Sequence, residues 1–187
     1  GTIGGGVIMN AGCYGTEFKD VLIDAEGLTR SGEPVLLTPK DLQLSYRRSK
    51  IPKDVIITAA RLQGHPAGQT ETRATMKRML SSRAASQPVG VRTGGSTFAN
   101  PDGRKAWQQI DAAGCRGMQR GDARVSEKHC NFLINLGNAT AADIEQLGED
   151  VRAAVSAHSG TELRWEIKRM GRMTTAQKAK GAADGRA

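Results

Sequence analysis

The chain has 187 residues, of which 38% are hydrophobic and 25% charged, and its formal net charge is +8. This composition is typical of a globular protein and excludes an intrinsically disordered one. No apolar run approaches the ~20 residues that a membrane-spanning helix needs, and we find no charged-then-apolar signal segment. We therefore expect a cytoplasmic protein that makes no membrane contact.

The excess positive charge lies in residues 71–92 and in residues 172–187. A nucleic-acid site would combine such charge with stacking aromatic residues, and these make up only 4% of the chain. We therefore expect no nucleic-acid partner, and phosphorylated small molecules suit the charge equally well. Cys13, Cys115 and Cys130 share no metal-ligand spacing, so we expect reduced thiols and no metal site.

The first half of the chain begins with a glycine-rich run, GTIGGGVIMNAGCYG. An ordinary turn is the better interpretation of this run alone, although glycine amides can also cradle a pyrophosphate. A hairpin is predicted by the two β-rich runs of VLIDAEGLTRSGEPVLLT. A polar loop or short helix is predicted at DLQLSYRRSKIP, and a buried strand at DVIITAARLQ. Thr70 can cap a helix, and Met76, Met79 and Leu80 would share one apolar face of that helix.

The second half favours helices and short strands. Asn100 and Pro101 are typical of a helix start, since asparagine caps the first turn and proline tolerates its first position. The apolar stripe of that helix, which would end at Gly114, consists of Ala106, Trp107, Ile110 and Ala113. A short buried strand is predicted at NFLIN. Thr140 with Asp143 predicts a capping box before a helix whose buried face is Ile144, Leu147, Val151 and Val155.

A last strand is predicted by the strict alternation in TELRWEIKRMG. Its apolar side would carry Leu163, Trp165 and Ile167, and its polar side Glu162, Arg164, Glu166 and Lys168. Residues 172–187 lose this periodicity, and we expect a flexible tail. Strands and helices without strict βαβ alternation indicate an α+β fold.

Several residue groups could carry chemistry, and none is decisive alone. Arg47, in SYRRS, could hold a carboxylate through paired donors, although a solvated basic loop is the commoner outcome. Glu166, on the polar side of the last strand, is a further candidate, although a glutamate there is usually solvent-facing, and Glu162 is an equal candidate by pattern. His129, in RVSEKHCNF, is more often a structural residue in such a place. Ser96, in TGGSTFANP, lies beside two glycines, which either form a tight turn or let a ligand approach the hydroxyl.

Taken in order, six segments resemble those of UDP-N-acetylenolpyruvoylglucosamine reductases, flavoenzymes of peptidoglycan precursor synthesis. The segments are GTIGGGVIMNAGCYGTEFKDVL, SYRRS, TGGSTFANP, AWQQIDAAGCRG, RVSEKHCNFLIN and ELRWEIKRMG. The resemblance covers residues 1–171 and points to the family's shorter subtype, which lacks an inserted tyrosine-bearing loop. It implies that residues 1–70 are the second lobe of a two-lobed FAD-binding domain. Residues 71–171 would be a connecting helix and a smaller α+β substrate-binding domain. The family's first lobe is absent from this sequence, so we expect a truncated enzyme.

The same resemblance implies an activity, in which NADPH reduces FAD and the enolpyruvyl group of a UDP-sugar is then reduced; we expect a monomer. It implies three catalytic residues, Arg47, Ser96 and Glu166, with Ser96 delivering a proton to the substrate. Residues implied for cofactor binding are Gly1, Thr2, Gly4, Gly5, Asn10, Ala11 and Gly12. Residues implied for substrate binding are Tyr46, Asn100, Lys128 and His129. Two positions depart from the family pattern: Ala99 stands where lysine is frequent, and Asp122 where glycine is common.

Two other functions stay open at the level of sequence. A flavin oxidase on the same scaffold would act on an alcohol with oxygen and would be indifferent to the change Ser96→Ala. A basic binding module would use residues 71–92 and the tail, and it predicts salt-sensitive nucleic-acid binding.

Overall fold

The computed structural model describes residues 1–171, so the predicted tail lies outside the described residues. The chain divides into two compact units, with the boundary between Thr72 and Arg73. The elements before this boundary are α1 (Ile3–Ile8), β1 (Gly12–Cys13), β2 (Thr16–Glu17), α2 (Phe18–Val21), β3 (Leu22–Thr29), β4 (Pro34–Leu37), α3 (Pro39–Leu42) and β5 (Val55–Leu62). α4 (Gln69–Ser86) spans the boundary. After it come β6 (Arg92–Ser96), α5 (Ala106–Ala112), β7 (Gln119–Arg120), β8 (Ala123–Val125), β9 (Phe132–Asn135) and α6 (Ala141–Ser159).

This mixture of helices and antiparallel strands confirms the α+β class. None of the helices in residues 1–171 is long and apolar enough to cross a bilayer.

The first unit is built on an antiparallel sheet in the order β4-β3-β5. The predicted hairpin is confirmed as β3 and β4. In DLQLSYRRSKIP, predicted as a polar loop or short helix, only Asp41 and Leu42 belong to α3, and residues 43–52 form turns and loop. The core of this unit consists of Val7, Leu22, Ala25 and Leu42. The strand predicted at DVIITAARLQ is confirmed as β5, but its predicted burial is wrong, because none of its residues is buried. β5 is an edge strand of this sheet, and part of its surface therefore stays open to solvent.

The glycine-rich run forms a helix, α1, rather than the predicted turn. The Thr2 hydroxyl caps this helix by accepting a hydrogen bond from the Gly5 amide at 3.1 Å. Two of its glycines permit close packing. A Cβ atom at Gly4 would lie 3.2 Å from Ile57, and one at Gly6 would lie 2.5 Å from the Phe18 ring. Tertiary packing thus overrides the low helix propensity of glycine.

The prediction that Thr70 caps α4 is wrong, because α4 begins at Gln69 and Thr70 lies inside it. The residues of the predicted apolar face of α4 are exposed. Met76 is 57% exposed, Met79 37% and Leu80 66%, and no residue of α4 is buried.

The second unit is built on an antiparallel sheet in the order β6-β9-β8-β7. The predicted strand NFLIN is confirmed as β9, and its first half is buried. The predicted capping box is confirmed, since the side chains of Thr140 and Asp143 each accept the other's amide hydrogen. The predicted face of α6 enters the core through Leu147, Val151 and Val155, with Ile144 packed against it.

The helix predicted to start at Asn100 and Pro101 begins later, at Ala106. Pro101 instead starts a turn closed by the Arg104 amide, with Gly103 in the left-handed region at φ 67°. The Asn100 side chain still caps α5 from a distance, because its Oδ1 accepts the Ala106 amide hydrogen at 3.0 Å. Of the predicted stripe, Ala106 and Ile110 are buried, Ala113 is partly buried and Trp107 is 39% exposed. Gly114, at φ 72°, ends the helix as predicted.

The predicted last strand forms only an isolated bridge, between Trp165 and Phe98. The predicted alternation of faces is correct at its start, where Leu163 is buried and Glu162 and Arg164 are exposed. It fails at Glu166, which is half-buried.

Candidate active site

Ser96 ends β6 at an irregularity of the sheet. Thr93 pairs with Ile134 and Ser96 with Phe132, and the register shifts between these two pairs. Gly94 and Gly95 occupy the shift. Gly95 has φ 86°, and a Cβ atom at Gly94 would lie 2.9 Å from the Ile167 side chain. Such bulges re-aim the side chain that follows them. The two glycines therefore allow the backbone conformation of the bulge before Ser96, which is half-buried.

Glu166 is joined to the residue after Ser96. Its amide donates a hydrogen bond to the Thr97 carbonyl at 2.9 Å. Glu162, the equal candidate by pattern, lies elsewhere, because its carboxylate accepts a hydrogen bond from Ser156 of α6 at 2.6 Å. The structure thus brings Glu166, and not Glu162, beside the backbone that carries Ser96.

The segment that carries Glu166 is anchored on α6 through Trp165. The Trp165 indole N–H donates to Glu149 at 2.9 Å, and its ring lies 5.0 Å from the Phe98 ring. A Cβ atom at Gly148 would lie 2.0 Å from the indole, so the ring occupies a notch that only glycine leaves open.

The two predicted substrate residues next to each other, Lys128 and His129, lie in a turn. The buried Ser126 hydroxyl accepts both of their amide hydrogens at 3.2 Å. The His129 ring packs edge-on against Phe132 at 4.9 Å, and its Nδ1 accepts the Asn131 amide hydrogen at 3.3 Å. Burial lowers the pKa of His129. The Lys128 ammonium group is exposed and donates to the Ala84 carbonyl. His129 therefore makes the packing and hydrogen-bond contacts of a structural residue, which is the commoner outcome for a histidine in such a place.

Arg47 lies in the first unit, in a turn closed by mutual backbone hydrogen bonds of Ser45 and Arg48 at 3.0 Å. Its backbone is left-handed, with φ 55°. The guanidinium donates to the carbonyls of Asn10 at 3.3 Å and Gly12 at 3.0 Å. It also lies 3.5 Å from the Glu17 carboxylate and 4.9 Å from the centre of the exposed Tyr46 ring. The backbone carbonyls of Asn10 and Gly12 thus fix the orientation of the Arg47 guanidinium.

Glu17 and Asn10 complete this network. The Asn10 amide donates to Glu17 and to the Ser45 carbonyl, each at 3.1 Å, and its Oδ1 accepts the Lys19 amide hydrogen at 2.9 Å. A hydrogen bond from the Lys19 ammonium group lowers the pKa of Glu17, with smaller contributions from Asn10 and Arg47. Asn10 is fully buried, so its side chain shapes the site from inside the protein.

The other residues implied for cofactor binding fall into two sets. Gly1, Thr2 and Gly5 are exposed, and a Cβ atom at Gly1 would meet nothing within 4 Å. Gly12 is needed internally, since a Cβ atom there would lie 2.5 Å from the Glu17 side chain. Gly4, with Ile57 close by, is half-buried, as is Ala11. At the exposed end of α1, Gly1 and Gly5 therefore leave backbone without a side chain, next to the exposed side chains of Thr2 and Ile3. Within residues 1–171 no three acidic, histidine or cysteine residues cluster as a metal site.

Some residues of the site escaped the sequence analysis. Asn131, Glu17 and Gly148 were not singled out, and Trp165 was named only as part of an apolar face. Only Asn131 gave a signal, since it is a polar residue between Cys130 and Phe132 in an apolar run. The roles of the other three depend on contacts that periodicity does not encode.

Comparison with known proteins gives the class first. Residues 87–170, which contain Ser96 and Glu166, match the family model described as UDP-N-acetylenolpyruvoylglucosamine reductase, C-terminal domain. Proteins named UDP-N-acetylenolpyruvoylglucosamine reductase from Rhizorhabdus wittichii and Methylorubrum extorquens are each 56% identical over 171 residues. These matches cover 91% of this chain and 56% and 55% of the relatives.

A solved structure agrees. The crystal structure of UDP-N-acetylenolpyruvylglucosamine reductase from Thermus caldophilus matches with a TM-score of 0.78 and 32% identity, over 89% of this chain and 59% of that one. The chain is similar to UDP-N-acetylenolpyruvoylglucosamine reductases over nearly all of its residues, and the resemblance drawn from the sequence is confirmed. This chain spans little more than half the length of the relatives that it matches.

Proposed function

We propose that this protein reduces the enolpyruvyl group of a UDP-sugar, as a UDP-N-acetylenolpyruvoylglucosamine reductase of peptidoglycan synthesis. The observation that carries the proposal is the 56% identity to enzymes of that name over 91% of the chain. The hydrogen bond from the Glu166 amide to the Thr97 carbonyl supports it, because it ties Glu166 to the residue that follows Ser96 in the chain.

Ser96 is proposed as the proton donor. Adding a hydride to the β-carbon of an enolpyruvyl ether leaves negative charge on the α-carbon and its carboxylate. A serine hydroxyl is a weak acid, but a carbanion-like enolate is a strong base, so the transfer is favourable. A positioned proton transfer of this kind contributes typically ~10²–10⁴ in rate.

Arg47 is proposed to face the substrate carboxylate. A guanidinium has five N–H donors in a fixed fork, and the carbonyls of Asn10 and Gly12 hold it in one orientation. A preorganised positive charge of this kind stabilises the developing enolate. Glu166 is proposed to assist at the same enolate, and Tyr46, Asn100, Lys128 and His129 to contact the rest of the substrate.

FAD is the proposed cofactor and would supply the hydride that it receives from NADPH. The exposed backbone of Gly1 and Gly5 fits it, because these two residues carry no side chain that would block a ring or a pyrophosphate, and the Thr2 hydroxyl between them is held by the Gly5 amide. Gly4, Ala11 and Gly12 are proposed to line the same segment. Asn10 is proposed to contribute through the shape of this segment.

The test uses the protein expressed from its complete reading frame, with flavin absorbance followed under anaerobic conditions. NADPH is added first and the enolpyruvyl sugar nucleotide second, to the parental protein and to Ser96→Ala. We expect NADPH to bleach the flavin in both proteins, and the sugar nucleotide to restore it rapidly in the parental protein alone. Ser81→Ala, which changes an exposed serine of α4, is the matched control and should behave as the parental protein.

Two outcomes would contradict the proposal. Restoration of the flavin by oxygen alone, with no response to the sugar nucleotide, would favour an oxidase. Equal rates of restoration in Ser96→Ala and the parental protein would remove Ser96 as the proton donor.

A further inference from the structure

We propose that Asn131 is the positioning residue of Ser96, which it holds through the two residues that follow. This inference rests on the proposed function for its catalytic meaning. Asn131 is 4% exposed and follows the turn made by Ser126 and His129.

Three hydrogen bonds join Asn131 to the backbone after Ser96. Its carbonyl accepts the Thr97 amide hydrogen at 2.8 Å. Its side-chain Oδ1 accepts the Phe98 amide hydrogen at 3.0 Å, and its Nδ2 donates to the Phe98 carbonyl at 2.8 Å. One buried residue therefore bonds to each of the three peptide groups that follow Ser96.

The side chain of Asn131 takes the place of a strand. Beyond the pair of Ser96 with Phe132, the ladder between β6 and β9 ends. A carboxamide carries one acceptor and two donor hydrogens, so it can bond to an amide and a carbonyl of the same residue as a neighbouring peptide group would. Here it does so at Phe98, which is 1% exposed, so the backbone bonds that the Asn131 side chain makes there lie away from bulk solvent.

The need for this support follows from the bulge before Ser96. Gly94 and Gly95 free the backbone on one side of the serine, and Gly95 lies in the left-handed region at φ 86°. A displacement of about 1 Å at a reacting group can slow a reaction by about 10²-fold. Asn131 limits such displacement on the other side.

The variants are Asn131→Ala, which removes both side-chain bonds, and Asn131→Asp, which removes the donor to the Phe98 carbonyl. Asn135→Ala is the matched control. Asn135 also makes side-chain bonds to backbone, to Gly137 and Ala139, but it pairs with Arg92 at the far end of β6.

The first measurement separates the two half-reactions in the protein from the complete reading frame. We expect Asn131→Ala to bleach its flavin with NADPH at the parental rate and to be reoxidised by the sugar nucleotide about 10²-fold more slowly. In the double variant with Ser96→Ala, the change at Asn131 should cost little more than Ser96→Ala alone, since both act on one proton transfer. Effects that multiply independently, or an equal slowing in Asn135→Ala, would overturn the proposal.

The second measurement does not depend on activity. Hydrogen exchange of peptides covering residues 96–99 should be at least about tenfold faster in Asn131→Ala than in the parental protein or Asn135→Ala. Unchanged exchange there would overturn the positioning role even if the enzyme is the proposed reductase. If the sugar nucleotide fails to reoxidise the parental flavin, the proposed function fails, while exchange still decides whether Asn131 holds this segment.

Discussion

The amide of Glu166 donates a hydrogen bond to the carbonyl of Thr97, the residue next to Ser96, across 2.9 Å. Backbone atoms alone form this link, so side-chain substitutions at Ser96 and Glu166 leave it intact. Variants at these two positions therefore test chemistry more directly than folding.

Arg47→Lys should lower kcat/KM for the sugar nucleotide by about 10²–10³-fold, if the proposed function is correct. Lysine keeps the charge but loses the planar fork that bonds the carbonyls of Asn10 and Gly12 and would face a carboxylate. Steady-state kinetics measure the effect. Arg48→Lys, the exposed neighbour, is the control and should stay within about twofold of the parental value. Equal losses in both variants would mean that charge at this turn, rather than the direction of Arg47, matters.

Gly148→Ala should destabilise the protein by about 1–3 kcal/mol, although the same change in an open helix would stabilise it. The new Cβ atom would lie 2.0 Å from Trp165, and the indole would have to leave its notch. Urea unfolding measures the free energy. Combined with Trp165→Leu, the change should lose most of its cost. A stabilised Gly148→Ala single variant would show that the notch is not tight.

Thr140→Ala should lower the free energy of unfolding by about 1 kcal/mol. The change removes the hydroxyl that accepts the Asp143 amide hydrogen at 3.1 Å at the start of α6. Thermal unfolding followed by circular dichroism measures the shift. Thr70→Ala is the control, because Thr70 lies within α4 and caps nothing there, and it should be neutral or slightly stabilising. A loss in Thr70→Ala equal to that in Thr140→Ala would contradict the helix starts described above.

Stability should fall as the pH is lowered from about 7.5 to 5.5, in part because of His129. Burial depresses the pKa of His129 in the folded state, below the ordinary value of about 6.5 that it keeps when unfolded. Between these two values only the unfolded chain binds the proton, so this contribution is complete above about pH 6.5 and is lost as the pH falls. Unfolding in urea at several pH values should show a smaller loss in His129→Gln than in the parental protein. His65→Gln, at an exposed histidine, should retain the parental slope, and the same slope in His129→Gln would contradict the prediction.

Local patterns predicted the elements whose causes are local. The sequence correctly predicted the hairpin of β3 and β4, the strand β9 and the capping box of Thr140. Turn residues, β-branched runs and cap side chains act within a few residues, so their effects can be predicted from the local sequence. The glycine run was misjudged for the opposite reason. Its helix is stabilised by close packing on Ile57 and Phe18, and neither contact is visible from the run itself.

The site divides in the same way. The motifs SYRRS, TGGSTFANP and ELRWEIKRMG identified Arg47, Ser96 and Glu166 as candidates by resemblance. The alternation of polar and apolar residues alone did not distinguish Glu166 from Glu162. Only the folded chain separated them, because the Thr97 carbonyl binds the amide of one and Ser156 binds the carboxylate of the other.

The sequence by itself determined the α+β class, the resemblance to the reductases and the residue types that could carry chemistry, since these depend on composition and on short motifs. The tertiary structure decided which glycines serve packing and which leave the backbone open. It also decided that Asn131 and Trp165 support the residues around Ser96 and Glu166. The physical reason is that hydrogen bonds and steric notches join residues that are far apart in the chain, and no local period records such contacts.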